Sequence, residues 1–579
     1  MYGRYLLWNF VGRQNDIQGK YDNLDGNWIS GIKFIDEIHL GKGTQENLPD
    51  DVKNNKGRNV YYFLPFIIGL IGLMYHAQRD LKSFYVLLAL FLFTGLALKI
   101  YLNERPFEPR ERDYALVGSF YVFAIWVGFG VFAIYEIVTD YVKSKLVGPI
   151  VIGACLLASP VLMASQNWDD HSRANKYTAI AMAKNYLESC EPNAILYTIG
   201  DNDTFPLWYA QEIEGIRTDI KIVNTSLFMT DWYIDQMKFK TYKSDGLPIS
   251  FKHSEYVGDK LDYVAYIPKT DARWNIKDFI DFIKNPKSTI ELRNGQTIHF
   301  YPTNKIRVPV DKNEIIKNKV VNPIYNDSIV PYIDIDINGS AIYKNRLMML
   351  DVLANNDWKR PIYFTGGSFG DDDYLWMKDH LQLDGLVYKL VPVKTPLNPD
   401  SPYDMGQIDS DKMYQLVQHW TWGNGDLTTI YHDTETRKNS ISYRTNMARL
   451  MQQLIKEGKK DHAEKIIDMA LTKMPMDYYG YYTMVEPFVG GYYDIGEKEK
   501  AHKLLDRLIT KYKQNLTYYS GIQTSIQNGI VSNIITDIER YRSLLLVMKT
   551  KGDLDYYNQS KPAFNSLVNR FERFGRDLE

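Results

Sequence analysis

The chain has only two cysteines in 579 residues, Cys155 in an apolar run and Cys190 in a polar region. So few, so placed, they give no disulfide framework and no cysteine metal site. Charge of one sign is missing too. Lysine plus arginine number 68 against 70 aspartate plus glutamate, so there is no large field to attract nucleic acid or an acidic surface, which argues against nucleic acid as a partner. The opening residues Met-Tyr-Gly-Arg-Tyr-Leu-Leu-Trp-Asn-Phe lack a basic leader, an apolar core and a small-residue cleavage site, so no signal peptide is expected. Membrane insertion would then rely on internal segments.

Such segments are present. Four apolar runs lie between Asn59 and Trp168: Tyr61 to Tyr75, Ser83 to Leu102, Tyr114 to Tyr135 and Leu146 to Trp168. A spanning helix needs about 20 residues, and the first run is the shortest of the four. Charged turns at Arg79 to Lys82, Asn103 to Asp113 and Asp140 to Lys145 separate them. Tyr61, Tyr62, Tyr101, Tyr114, Tyr135 and Trp168 stand near their ends, at the depth interfacial aromatics prefer. The expected fold is a multi-pass α-helical membrane region of four spans over residues 59–168. Before it comes a polar, aromatic-rich extramembrane segment, 1–58, that either lies against the membrane surface or forms an extended loop. After it come a soluble α/β domain, 169–430, and a helical region, 431–579.

In the soluble part an amphipathic helix around Tyr177 to Leu187 precedes an apolar strand, Ala194 to Ile199. A turn at Gly200-Asp201-Asn202-Asp203, a helix through Trp208 and a strand Ile220 to Asn224 complete a β-α-β pattern, and Arg360 to Thr365 reads as a further buried strand. Ligands of open α/β sheets bind at the carboxyl ends of strands. Asp201, Asn202 and Asp203 occupy such an end and suit a divalent cation or sugar hydroxyls, with Trp208 or Trp232 beside Asp231 as a stacking face. The competing reading is a helix cap, with Pro206 early in the first turn. Trp168, Asp169, Asp170 and His171, where the last apolar run ends, form either an acid/base or metal cluster or a simple anchor. Residues 240–345 read as a β-rich insertion: Thr289 to Arg293 and Gln296 to Phe300 flank Asn294-Gly295, and Ile333 to Ile337 alternate with Asp334 and Asp336 facing water.

Near residue 440 the period becomes helical. Gly458-Lys-Lys-Asp-His-Ala463-Glu-Lys-Ile-Ile-Asp468 recurs 38 residues later as Gly496-Glu-Lys-Glu-Lys-Ala501-His-Lys-Leu-Leu-Asp506, a tetratricopeptide-like repeat of helix hairpins. Such surfaces bind partner proteins or brace a neighbouring domain. In the turn between the second and third apolar runs, Arg105, Arg110 and Arg112 alternate with Pro106, Pro109 and acidic residues. Guanidinium groups grip phosphate bidentately, but the same arginines suit a solvated turn paired with Glu108, Glu111 and lipid headgroups.

The stretches YGRYLLWNFVGRQNDIQG, GNWISGI, NERPFEPRERDYALVGSFYVFAIW, NWDDHSRANKYTA and GDNDTFPLWYAQEIEGIRTDIKIVN together carry a specific likeness. They resemble the carboxy-terminal half of a bacterial multi-pass membrane family of unknown function. That family is related to protein O-mannosyltransferase-like glycosyltransferases of the GT-C type. The resemblance implies sugar transfer from a polyprenyl-phosphate donor to an extracytoplasmic protein or glycan, with Arg105, Arg110 and Arg112 at the donor phosphate. The family's early Trp-Asp-Cys-Gly-Glu-Phe motif, which carries the catalytic carboxylate region, does not occur here. The expectation is therefore a fragment, a split partner of an amino-terminal half, or a shortened relative, with no catalytic base carried over. A non-catalytic membrane-anchored scaffold is the alternative. Four spans would place six basic residues (Lys53, Lys56, Arg58, Arg105, Arg110, Arg112) on the tail's side against four opposite, a lean towards a cytoplasmic tail. The resemblance implies the reverse: a bacterial inner-membrane protein with a periplasmic tail.

Overall fold

The computed structural model describes residues 1–579 other than 21, 108–109, 292–294, 296, 369, 398–403 and 578–579. The chain forms two compact units. One comprises Met1–Lys176, Leu427–Ser440 and Met474–Glu579; the other comprises Tyr177–Asp426 and Ile441–Lys473.

Among the described residues of the first unit, three helices are long and apolar enough to cross a membrane: Leu81–Leu102, Asp113–Tyr141 and Val147–His171. The first expected run instead forms a 16-residue helix, Leu64–Arg79, which begins just after Tyr62 and Phe63, both at positive φ. At about 1.5 Å per residue this helix is shorter than the hydrocarbon core is thick. It packs against the helix of residues 113–141 through glycines. A Cβ on Gly72 would stand 1.8 Å from the Trp126 carbonyl oxygen, and one on Gly130 would stand 2.1 Å from that of Ile68. The two backbones therefore touch directly, the contact that small residues permit between apolar helices. Two of the longer helices each carry a π turn, at Phe93–Ala97 and Leu157–Val161. The second contains Pro160, whose missing N–H breaks the regular ladder.

The amino-terminal segment is not an extended loop. Helix Tyr2–Phe10 buries Tyr5, Trp8 and Phe10 against Leu116, Phe120, Phe123 and Trp126. Phe10 and Phe123 lie 4.5 Å apart between ring centroids, and the Tyr2 hydroxyl meets Ser119 Oγ at 2.6 Å. Strand Gly12–Arg13 then pairs antiparallel with Asn59–Val60, which closes the segment on itself. At the other end of the unit, helices Glu486–Ile495, Lys498–Gly521, Val531–Thr550 and Leu554–Val568 pack in succession. Both repeat copies form a glycine turn and a helix: Gly458 and Gly496 have φ of 76° and 99°, and Ala463 and Ala501 are fully buried. One copy falls in each unit.

The second unit is built on a five-stranded sheet of β1 (Ile195–Thr198), β2 (Lys221–Asn224), β3 (Ile362–Thr365), β4 (Leu381–Asp384) and β5 (Val387–Leu390). Its order is β4-β5-β3-β1-β2, with β3, β1 and β2 parallel and β5 antiparallel to both β3 and β4. Helices α1 (Thr178–Glu188) and α2 (Asp201–Glu212) pack beside it through Ala183, Leu187, Leu207 and Ala210. The β1-α2-β2 unit follows the sequence pattern closely because each strand is wholly buried and its centre is apolar, Ile195-Leu196 in β1 and Ile222-Val223 in β2. Between β2 and β3 lie two small sheets. Thr289–Glu291 pairs antiparallel with Thr297–Tyr301, although Arg293, Asn294 and Gln296 of the expected turn lie outside the described residues. Strand Tyr332–Asp336 alternates as expected, with Ile333 and Ile335 buried and Asp334 and Asp336 outward on Arg307 and Arg273.

Arg217, in the turn before β2, locks this unit. Its guanidinium donates to the Leu187, Cys190 and Glu191 carbonyls and forks onto Asp219 at 2.9 and 3.0 Å. It therefore satisfies carbonyls left open at the end of α1. The hydrogen bond from Arg217 is the main reason that the Asp219 carboxyl titrates at about 2. A lowered carboxylate contributes stability above its unfolded pKa, near 4, and loses it as pH falls through the folded value. The wild-type chain is thus expected to lose more stability between about pH 4 and pH 2 than Asp219→Asn does, in denaturant titrations. Equal slopes would remove Asp219 from the acid response.

Candidate functional site

The parallel strands β1, β2 and β3 send their following loops to one edge of the sheet. Asp203 binds two of those loops together. Its carboxylate accepts from the Ile199 and Gly200 amides at 2.8 and 2.9 Å and from Thr365 Oγ1 at 3.0 Å. The N-cap of α2 is Gly200 rather than Asn202 or Asp203; Asp203 is the third residue of the helix and reaches back to the Gly200 amide, and it also ties the end of β1 to the end of β3. Ser226 Oγ reaches back to the Ile199 carbonyl at 2.6 Å, and Asn345 donates to that of Thr225 at 3.0 Å. Asp201 and Asn202 are exposed, with the Asp201 carboxylate turned to the Asn202 amide at 2.9 Å. Helix α2 starts at Asp201, so Pro206 is its sixth residue rather than part of the first turn.

The two expected aromatic partners lie on different helices, Trp208 on α2 and Trp232 on Asp231–Met237. Trp208 packs half-buried against the core beneath α2 and stacks on Phe205 at 5.3 Å. Trp232 is exposed, edge-on to Tyr233. Asp231 accepts from the Gly258 and Trp232 amides, which lowers its pKa. Arg346 also reaches the edge, on Asp372 at 3.0 Å and on Asp373. The acidic run Asp371-Asp372-Asp373 was a visible signal for it; Asn345 and Arg346 had none, since only the fold brings them there.

At the junction after the last apolar helix, His171 Nδ1 meets Asp170 at 2.5 Å and the Asn167 carbonyl at 2.9 Å. Asp169 and Trp168 point outward. Among the described residues no group of three or more His, Cys, Asp or Glu side chains is placed to hold a metal ion.

The arginine turn is held from a distance. Glu111 accepts from Arg4 at 2.5 Å, from the Tyr5 hydroxyl at 2.7 Å and from the Gly19 amide at 3.1 Å. Arg4 in turn lies over the rings of Tyr5, Trp8 and Phe107 at 5.1, 4.8 and 4.9 Å, within cation–π range. Burial and the bond to Glu111 push the Tyr5 phenol up to about 12, so it stays a donor at neutral pH. Glu104 is taken by Lys99 at 2.5 Å and faces Arg112 at 3.8 Å. Glu111 therefore does not pair with the arginines of its own turn, and Glu108 lies outside the described residues. Arg105 and Arg110 are exposed and form no ion pair among the described residues; Arg110 lies 6.0 Å from the Tyr114 ring. Sequence order hid this arrangement, because the partner of Glu111 lies 107 residues away.

Arg4 and Glu111 are 12 and 9 % exposed. Removing one partner of so buried a pair leaves an uncompensated charge. Glu111→Ala is expected to destabilise the first unit by about 3 kcal/mol. Thermal unfolding in detergent checks this; a melting temperature equal to that of the wild type would show that the pair does not hold the turn.

Residues 179–412 match the family model described as TMEM260-associated domain 2, a stretch that contains the whole five-stranded sheet and the insertion. No curated protein and no solved structure matches the chain. By sequence this chain is similar, over the greater part of its second unit, to a TMEM260-associated domain.

Proposed function

We propose that the chain is a component of a membrane glycosyltransferase that draws sugar from a polyprenyl-phosphate donor, with Arg105 and Arg110 holding the donor phosphate. One observation carries this reading. Two exposed guanidinium groups, unpaired among the described residues, sit on a turn between apolar helices that is anchored by Glu111. Sugar departure leaves negative charge on the phosphate, and fixed donors aimed at developing charge are commonly the largest catalytic contribution. Guanidinium supplies them in a bidentate form. The resemblance to protein O-mannosyltransferase-like enzymes supports the reading. In it, the extramembrane units face the periplasm and the acceptor is a protein or glycan there. No residue is assigned as catalytic base.

A second reading is favoured by Asp203. The best-placed carboxylate at the sheet edge is spent on two amides and a threonine, as in a structural tie, not left open for acid/base work. On that reading the second unit is a binding scaffold that catalyses nothing.

The phosphate assignment is tested with the purified chain in nanodiscs of zwitterionic lipid, titrated with dodecaprenyl phosphate. Each charge-assisted bond contributes on the order of 1.5–3 kcal/mol, so Arg105→Ala with Arg110→Ala is expected to weaken binding by at least about tenfold. Affinity equal to that of the wild type would refute it.

A further inference from the structure

We infer that a cavity in the first unit is a binding cleft for a neutral oligosaccharide. It has a volume of about 830 Å³, within the range of small-molecule sites. Its walls come from the segment around Asp50 to Lys56, from Thr428 to Arg437, from the turn Asp477 to Tyr482 and from the helix face Asp506 to Gln514. The inference is independent of sugar transfer by the chain.

Tyrosine dominates the lining, with Tyr431, Tyr478, Tyr479, Tyr481 and Tyr482. Several of the hydroxyls are used by the protein itself. Tyr431 donates to Asp16 at 2.9 Å, Tyr482 to Asp51 at 3.3 Å, and the Tyr478 oxygen accepts from the His432 amide at 2.8 Å. These bonds fix the rings of Tyr431, Tyr478 and Tyr482, which leaves them little rotational freedom to lose on binding. The turn that carries them is under backbone constraint. Gly480 and Tyr481 both have positive φ, 69° and 50°. A bulky residue in that region is uncommon, and such residues collect at ligand clamps.

The charges decide the ligand class. Four carboxylates and four cations line the cavity, among them Asp477 with Arg507 at 2.6 Å and Asp51 with Lys511. An anionic ligand meets four carboxylates and a basic one meets four cations, so neither gains net attraction. An apolar ligand would cover these groups without replacing their water. A sugar chain offers what the lining can satisfy. Its hydroxyls both donate and accept beside carboxylates and guanidinium groups that keep spare lone pairs and protons, and its C–H faces lie on aromatic rings.

The test uses the full chain, purified in a detergent without a sugar headgroup, and calorimetric titration with linear hexasaccharides of glucose, mannose and N-acetylglucosamine. An uncharged hexapeptide is the comparison ligand. Tyr481→Gly removes the ring at a positive φ that glycine adopts freely; Asp477→Asn removes an exposed carboxylate of the lining. At least one hexasaccharide is expected to bind, and each variant to weaken it roughly tenfold or more at unchanged melting temperature. Binding by none of the sugars, sugar binding indifferent to both variants, or tighter binding of the peptide would each overturn the inference. Because no lipid donor is present, these outcomes leave the phosphate assignment of Arg105 and Arg110 untouched.

Discussion

The Glu111 carboxylate organises the membrane-proximal part of the chain. It stands in the turn before the helix of residues 113–141 and binds Arg4, Tyr5 and the Gly19 amide. The amino-terminal helix is thereby held where Trp8, Phe10 and Phe123 can pack, and the turn is held where Arg105 and Arg110 face outward. A charge this buried is tolerable only because it is paired and hydrogen-bonded. Arg4 is supported again by three aromatic rings. Hydrophobic packing gives this region its stability, while the ionic attachment selects one arrangement of the turn.

The second unit obeys the same logic with different residues. Arg217 closes the end of α1 and fixes Asp219, and Asp203 fixes the opposite edge of the sheet by joining β1 to β3. In both, a charged side chain takes up backbone groups that regular structure leaves open. This explains why the quoted motif runs from Gly200 to Asn224: it contains the cap, α2, the clamp and β2. Much of the motif is thus architecture: Asp203 and Asp219 are held by the fold, while Asp201 stays exposed.

Local pattern was legible where burial is uniform. Strands β1, β2 and β3 are entirely buried, and their apolar centres, with Ile220 leading into β2, announced them. The outward Asp334 and Asp336 were equally plain from alternation. What stayed hidden were attachments between distant residues. Glu111 seemed a partner for its neighbouring arginines, yet it pairs with Arg4 across 107 positions. The first apolar run looked like a short span, and its glycines did not announce the close contact with the helix carrying Gly130. The cavity lined by Asp477-Tyr-Tyr-Gly-Tyr-Tyr482 needs chain segments more than four hundred residues apart, which no local pattern displays.

The central claim is that the turn of residues 103–113 meets a lipid-borne phosphate. Photoaffinity labelling of the chain in membranes with a photoreactive polyprenyl phosphate, followed by peptide mapping, addresses it directly. The label is expected on residues 103–113 or on the docked helix of residues 2–10, and to be displaced by excess unlabelled polyprenyl phosphate. Labelling confined to other helices, or equal labelling in the presence of competitor, would contradict the account.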